Sequence, residues 1–132
     1  MATLIGVVLA LSVCGMATIV GFDREPAFYP LVTIVIASYY GLFAVMGGSR
    51  QALGLELIAV AAFMLISIVG FKRNLWIVVV ALAGHGVFDL VHGHVISDPG
   101  VPLWWPAFCL AYDVVTAIYL AALLVSQRLR PH

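Results

Sequence analysis

The sequence predicts an all-α integral membrane protein, a bundle of five transmembrane helices. Three observations carry that prediction. Of the 132 residues, 64% are hydrophobic and only 9% are charged, where a soluble domain carries about 25% charged residues. A chain this short leaves much of its surface exposed after folding, so that much apolar surface cannot be hidden in a soluble core. Mean hydropathy is +1.17. The apolar residues also come in runs of about 20, the length that spans a hydrocarbon core of roughly 30 Å. The whole chain, 1–132, reads as one domain, with no internal repeat and no low-complexity segment.

The first run covers 2–21. It has no Lys or Arg before it and is too long for the apolar part of a cleaved signal peptide, so it reads as the first helix. Phe22-Asp23-Arg24-Glu25-Pro26 ends it, three charges and a proline that read as a solvated surface turn. The second helix is expected over 27–46, with Pro30 in its first turn, where a missing N–H does little harm. Ala37, Gly41, Ala44 and Gly48 form a small-residue stripe suited to close helix packing. Gly47-Gly48-Ser49-Arg50-Gln51 makes a short turn, and the third helix follows over 52–71. Lys72-Arg73-Asn74 separates it from the fourth, expected over 75–92. Residues 93–102 hold two glycines, two prolines and Asp98, and read as the longest loop. Trp104 and Trp105 mark a membrane interface at the start of the fifth helix, 103–127, and Arg128, Arg130 and His132 form a polar tail. Short loops predict that helices consecutive in sequence are antiparallel neighbours.

The basic residues set an orientation. With five spans, Arg24, Lys72, Arg73, Arg128 and Arg130 share one side and Arg50 alone lies on the other. The positive-inside rule then places the N-terminus outside and the C-terminus in the cytoplasm. A bacterial inner (plasma) membrane is the expected location. Formal net charge is zero and the pI is about 6.9, so nothing points to nucleic acid as a partner. The expected partners are membrane lipids and either further copies of the chain or a larger membrane complex. Cys14 and Cys109 sit singly inside apolar runs and read as small packing residues.

Gly84-His85-Gly86-Val87-Phe88-Asp89-Leu90-Val91-His92-Gly93-His94 carries three of the four histidines. His85, Asp89 and His92 are spaced i, i+4, i+7, which puts them within roughly 60° of one another on one helix face. His94 falls about 180° from His85 if the helix continues. The glycines flanking His85 permit either close packing or room for a ligand. At 1.5 Å per residue, Asp89 lies roughly 5 Å and His85 roughly 10 Å below the outer end of helix 4. Asp113 lies roughly 12 Å below Trp105, and Glu56 roughly 8 Å below Gln51. Helices 3, 4 and 5 thus bring ionisable groups to the same outer half of the bilayer, where each costs on the order of 2.5–3.5 kcal/mol to insert. Cys109, Asp113 and Thr116 share one face of helix 5, and Tyr39 and Tyr40 stand at similar depth on helix 2.

Imidazole and carboxylate are the usual donors for Zn²⁺, Fe²⁺ or Mn²⁺. The expected metal ligands are His85, Asp89, His92 and Asp113, holding a divalent ion, zinc or iron. Glu56 and Asp113 are the candidate catalytic carboxylates, with Glu56 as outer ligand or base, or else paired with Arg50. A His and an Asp on one transmembrane helix resembles the signature helix of nickel/cobalt permeases. Their Asp immediately precedes the second His, where this chain has Val91, so no residue is carried over. The mix of Ser, His and Asp also resembles membrane metal-dependent lipid amidases, again with no motif that matches residue by residue.

The sequence is compatible with three functions. One is a metal-dependent enzyme acting on a lipid-like substrate by hydrolysis or oxidation. The second is a proton or metal-ion transport subunit in which the same groups are transient carriers. The third is an accessory subunit in which they only tie helices together.

Overall fold

A computed structural model describes residues 1–129. Arg130 and His132, placed in the polar tail above, lie outside the described residues. Five α-helices and one 3₁₀ turn make up the secondary structure among the described residues: α1 Ala2–Val20, the turn Phe22–Arg24, α2 Phe28–Gly47, α3 Arg50–Arg73, α4 Trp76–Val95 and α5 Trp105–Val125. All five helices are long and apolar enough to cross a membrane.

The helix ends follow from local chemistry. Gly21 and Gly48 adopt φ of 94° and 70° and stop α1 and α2 in the left-handed conformation that glycine tolerates. Ser49 caps α3 by accepting from the Ala52 N–H at 3.1 Å, which starts that helix two residues earlier than expected. Asn74 Oδ1 accepts the Trp76 N–H at 3.0 Å at the start of α4. Gly93 does not break α4. The helix runs on to Val95, so His94 points away from His85 and is exposed.

Around the bundle the order is α1–α5–α4–α3–α2, with α2 also touching α4. The expectation that sequential helices pack as neighbours therefore fails for α1 and α2, which meet mainly through the turn between them. The physical reason lies at Gly6. A Cβ there would stand 2.4 Å from the Phe108 carbonyl oxygen, so α1 is pressed onto the backbone of α5 instead. The stripe on α2 packs as expected at Ala37, Gly41 and Ala44, with Gly41 facing Leu57 and Val60 of α3, while Gly48 is an exposed turn residue. The surface turn is also not wholly solvated. Asp23 is buried and accepts from the Thr18 hydroxyl at 2.5 Å, and Thr18 in turn contacts the Tyr119 hydroxyl at 2.6 Å.

The exterior is unlike that of a soluble bundle, and polar groups are enclosed within a largely apolar core. Leu4, Ile19, Leu31, Ile58, Leu65 and Val80 are exposed, while Glu56, Ser67, His85, Asp89, His92, Asp113 and Thr116 are buried. Water would penalise such an exterior, and lipid would not.

Candidate functional site

The sequence-predicted residues gather in the core at α2, α3, α4 and α5, in two groups rather than one. The first joins α4 to α5. His85 Nδ1 donates to Asp113 Oδ2 at 2.6 Å and lies 3.6 Å from Asp89 Oδ2. The Tyr40 hydroxyl of α2 donates to the other Asp89 oxygen, Oδ1, at 2.6 Å. The Cys109 thiol, one helical turn before Asp113, stands 3.7–3.8 Å from both oxygens of that carboxylate. His85, Asp89, Cys109 and Asp113 are all buried, and each brings one donor atom within 4.8 Å of the others. Helical spacing explains half of this: His85 and Asp89 are one turn apart on α4, as are Cys109 and Asp113 on α5. The rest is close approach of the two helices. Gly86 lies against Leu110, Asp113 and Val114, with a Cβ there only 3.3 Å from the Leu110 side chain. Of the two readings of Gly84-His85-Gly86, close packing holds at Gly86, while Gly84 faces open space.

The second group joins α3, α4 and the following loop. His92 Nε2 donates to Glu56 Oε2 at 2.7 Å. Asp98 stands beside them, and the three residues again bring donor atoms within 4.8 Å of one another. Glu56 thus pairs with His92, and among the described residues it forms no ion pair with Arg50. Arg50 is exposed at the first turn of α3, whereas Glu56 faces inward. Tyr40 lies between the groups. Its ring stacks on His92 with centroids 3.9 Å apart and 12° between planes, while its hydroxyl holds Asp89. Phe63 and Phe88 close the apolar walls around His85.

Several buried polar atoms have no hydrogen-bond partner among the described residues: His85 Nε2, Asp89 Oδ2, Glu56 Oε1 and Asp98 Oδ2. Native interiors leave few such atoms unsatisfied, because each costs about 1–3 kcal/mol. In both groups the unsatisfied atoms include carboxylate oxygens next to an imidazole, the donor set that a divalent cation would satisfy.

Beside the first group lies an apolar groove of about 710 Å³. It runs between α2 and α5, with Tyr39 and Phe43 of α2 packed edge-on against Trp105 of α5. Cys109 lines the groove and also contacts Asp113, so the groove reaches the buried group. Cys109 and Asp98 lie outside the set of site residues expected from the sequence. The i, i+4 relation of Cys109 to Asp113 was the available signal for the first. No sequence pattern signals the second, since a loop conformation brings Asp98 in.

The fold and the group together define a class: a five-helix membrane-type bundle with a buried His/Asp/Cys cluster that could hold a metal ion. No protein-family model, curated protein or solved structure matches the chain.

Proposed function

We propose that this chain is a multi-pass membrane enzyme in which His85, Asp89, Cys109 and Asp113 hold a divalent metal ion, zinc or iron, and act on a lipid-like substrate. One observation carries the reading. Cys109 belongs both to the four-residue donor group and to the wall of the lateral apolar groove. An apolar molecule lying in that groove therefore ends beside the donors.

The residues fit such an ion. Bonds of about 2.0–2.3 Å in a tetrahedral zinc site space the donors about 3.3–3.8 Å apart, and the donors here already lie within 4.8 Å. Nitrogen, oxygen and sulfur together suit zinc or iron better than calcium or magnesium. The Tyr40 hydroxyl occupies Asp89 Oδ1 and leaves Oδ2 free, which orients that carboxylate toward the group. When bound, the metal would supply Lewis acidity toward a carbonyl or phosphoryl oxygen or a bound water. Asp113 would accept the His85 Nδ1 proton in the metal-free protein and would become a ligand once the ion replaced that proton. The apolar groove walls would exclude bulk water.

The N-terminus faces outward and the C-terminus faces the cytoplasm in this reading, in a bacterial inner (plasma) membrane. The group then opens toward the outer half of the bilayer, with lipids and further copies of the chain as partners. The excess of Arg24, Lys72, Arg73 and Arg128 over Arg50 supports the orientation.

Elemental analysis of untagged protein tests the metal. Stoichiometric zinc or iron is expected, with one equivalent lost in His85→Ala and in Cys109→Ser at unchanged helical content. A metal content independent of both substitutions would overturn the reading. A second reading, proton or metal-ion transport, draws support from the buried hydrogen-bonded pairs Glu56–His92, Tyr40–Asp89 and His85–Asp113. Pyranine-loaded liposomes separate the two. Proton flux abolished by Asp113→Asn, with no retained metal, would favour transport.

A further inference from the structure

We infer that Glu56, His92 and Asp98 form a second cation site, separate from the Cys109-containing group and reached from the aqueous end of α4. It takes a hard divalent ion through two carboxylates and one imidazole.

Four observations carry the inference. The three side chains bring donor atoms within 4.8 Å of one another. Glu56 is fully buried, yet among the described residues its Oε1 has no partner, and the buried Asp98 Oδ2 has none either. Two carboxylates placed that close together with free oxygens repel each other unless a proton or a cation lies between them. The third observation is the anchoring of the loop. Asp98 uses its other oxygen, Oδ1, to accept the Gly100 N–H at 3.0 Å. Gly100 packs so tightly on α2 that a Cβ on it would stand 1.7 Å from the Phe43 carbonyl oxygen, and a Cβ on Gly47 would stand 2.5 Å from the Gly100 nitrogen. Asp98 is therefore held by backbone packing and not by a flexible tether. The fourth is access. Ser97 and Pro99 on either side are exposed, so an ion reaches the group without crossing the apolar groove.

The donor sets distinguish the two sites. The second holds oxygen and nitrogen only, which favours Mn²⁺ or Co²⁺ without thiolate, while Cys109 gives the first a sulfur donor. Tyr40, stacked on His92 and bonded to Asp89, stands between them.

Cobalt titration of the full chain in detergent tests this, because only a Cys109-ligated ion produces a thiolate-to-cobalt charge-transfer band. Wild type is expected to bind two Co²⁺ equivalents. Asp98→Asn and Gly100→Ala are expected to bind one and keep the band, while Cys109→Ser binds one and loses it. One equivalent with the band in wild type, unchanged in Asp98→Asn, would overturn the second site and leave the first standing. One equivalent without the band, lost in Asp98→Asn, would support the second site and overturn the Cys109 group. No Co²⁺ in wild type would overturn both.

Discussion

Tyr40 shows how much one side chain does in this core. Its hydroxyl serves Asp89, its ring covers His92, and both acidic and imidazole partners are buried. Tyr40→Phe keeps the ring and removes the hydrogen bond, leaving both Asp89 oxygens without a donor. The expected cost is about 1–3 kcal/mol in detergent unfolding, with a 10- to 100-fold loss of metal affinity at the first group. An unchanged affinity would show that the Tyr40 hydrogen bond does not position a metal ligand. Asp113 is tied more tightly. Asp113→Ala removes the His85 acceptor and leaves the ring N–H 3.6 Å from Asp89 Oδ2, with an expected loss of about 1–3 kcal/mol. Asp113→Asn keeps an acceptor oxygen and is expected to lose less. Equal losses by unfolding would place the stabilisation in packing and not in the pair. Both acidic residues were legible as candidates, because a carboxylate within an apolar run draws notice by its insertion cost. Cys109 was not, because a buried cysteine is ordinarily a small apolar residue.

Helix α4 carries its chemistry by periodicity. The i, i+4, i+7 spacing puts His85, Asp89 and His92 on its buried face, and continuation past Gly93 turns His94 outward. That much could be read from the chain. The division of the stripe could not. His85 and Asp89 meet α5, while His92, two turns beyond His85, meets α3. Helix α1 contributes no donor to either group and acts through its seat on α5. Gly6→Ala would drive a methyl into the Phe108 carbonyl and the Ala111 side chain. The expected destabilisation is about 1–3 kcal/mol by unfolding in detergent, with the α4–α5 group retaining its metal. Loss of metal in that variant would show that α1 also shapes the site.

For the whole molecule, the proposed topology rests on charge placement. With the N-terminus outside, Ser97→Cys is expected to react with a membrane-impermeant maleimide on intact cells, and Asn74→Cys only after permeabilisation. Both positions are exposed. The reverse pattern would invert the bundle and put the second group on the cytoplasmic side. The separation of α1 from α2 has a further consequence, because it leaves α2 facing α5 across the groove. Loop length alone predicted that the two helices would pack together, and such packing would have left less room for an apolar molecule at Cys109.

The chain by itself determined the five apolar helices, the concentration of polar groups in α3, α4 and α5, and the face on which α4 carries them. These are consequences of hydrophobicity, helical period and the cost of placing charge in hydrocarbon, all of which act within one segment. Only the tertiary structure decided that the candidates divide into two groups, that Cys109 and Asp98 join them, and that Glu56 binds His92 instead of Arg50. Those outcomes depend on which segments approach closely at glycines that have no side chain to hold them apart. Gly6 on Phe108, Gly86 on Leu110 and Gly100 on Phe43 set that approach. Each is a contact between residues distant in sequence, and no local pattern encodes the partner.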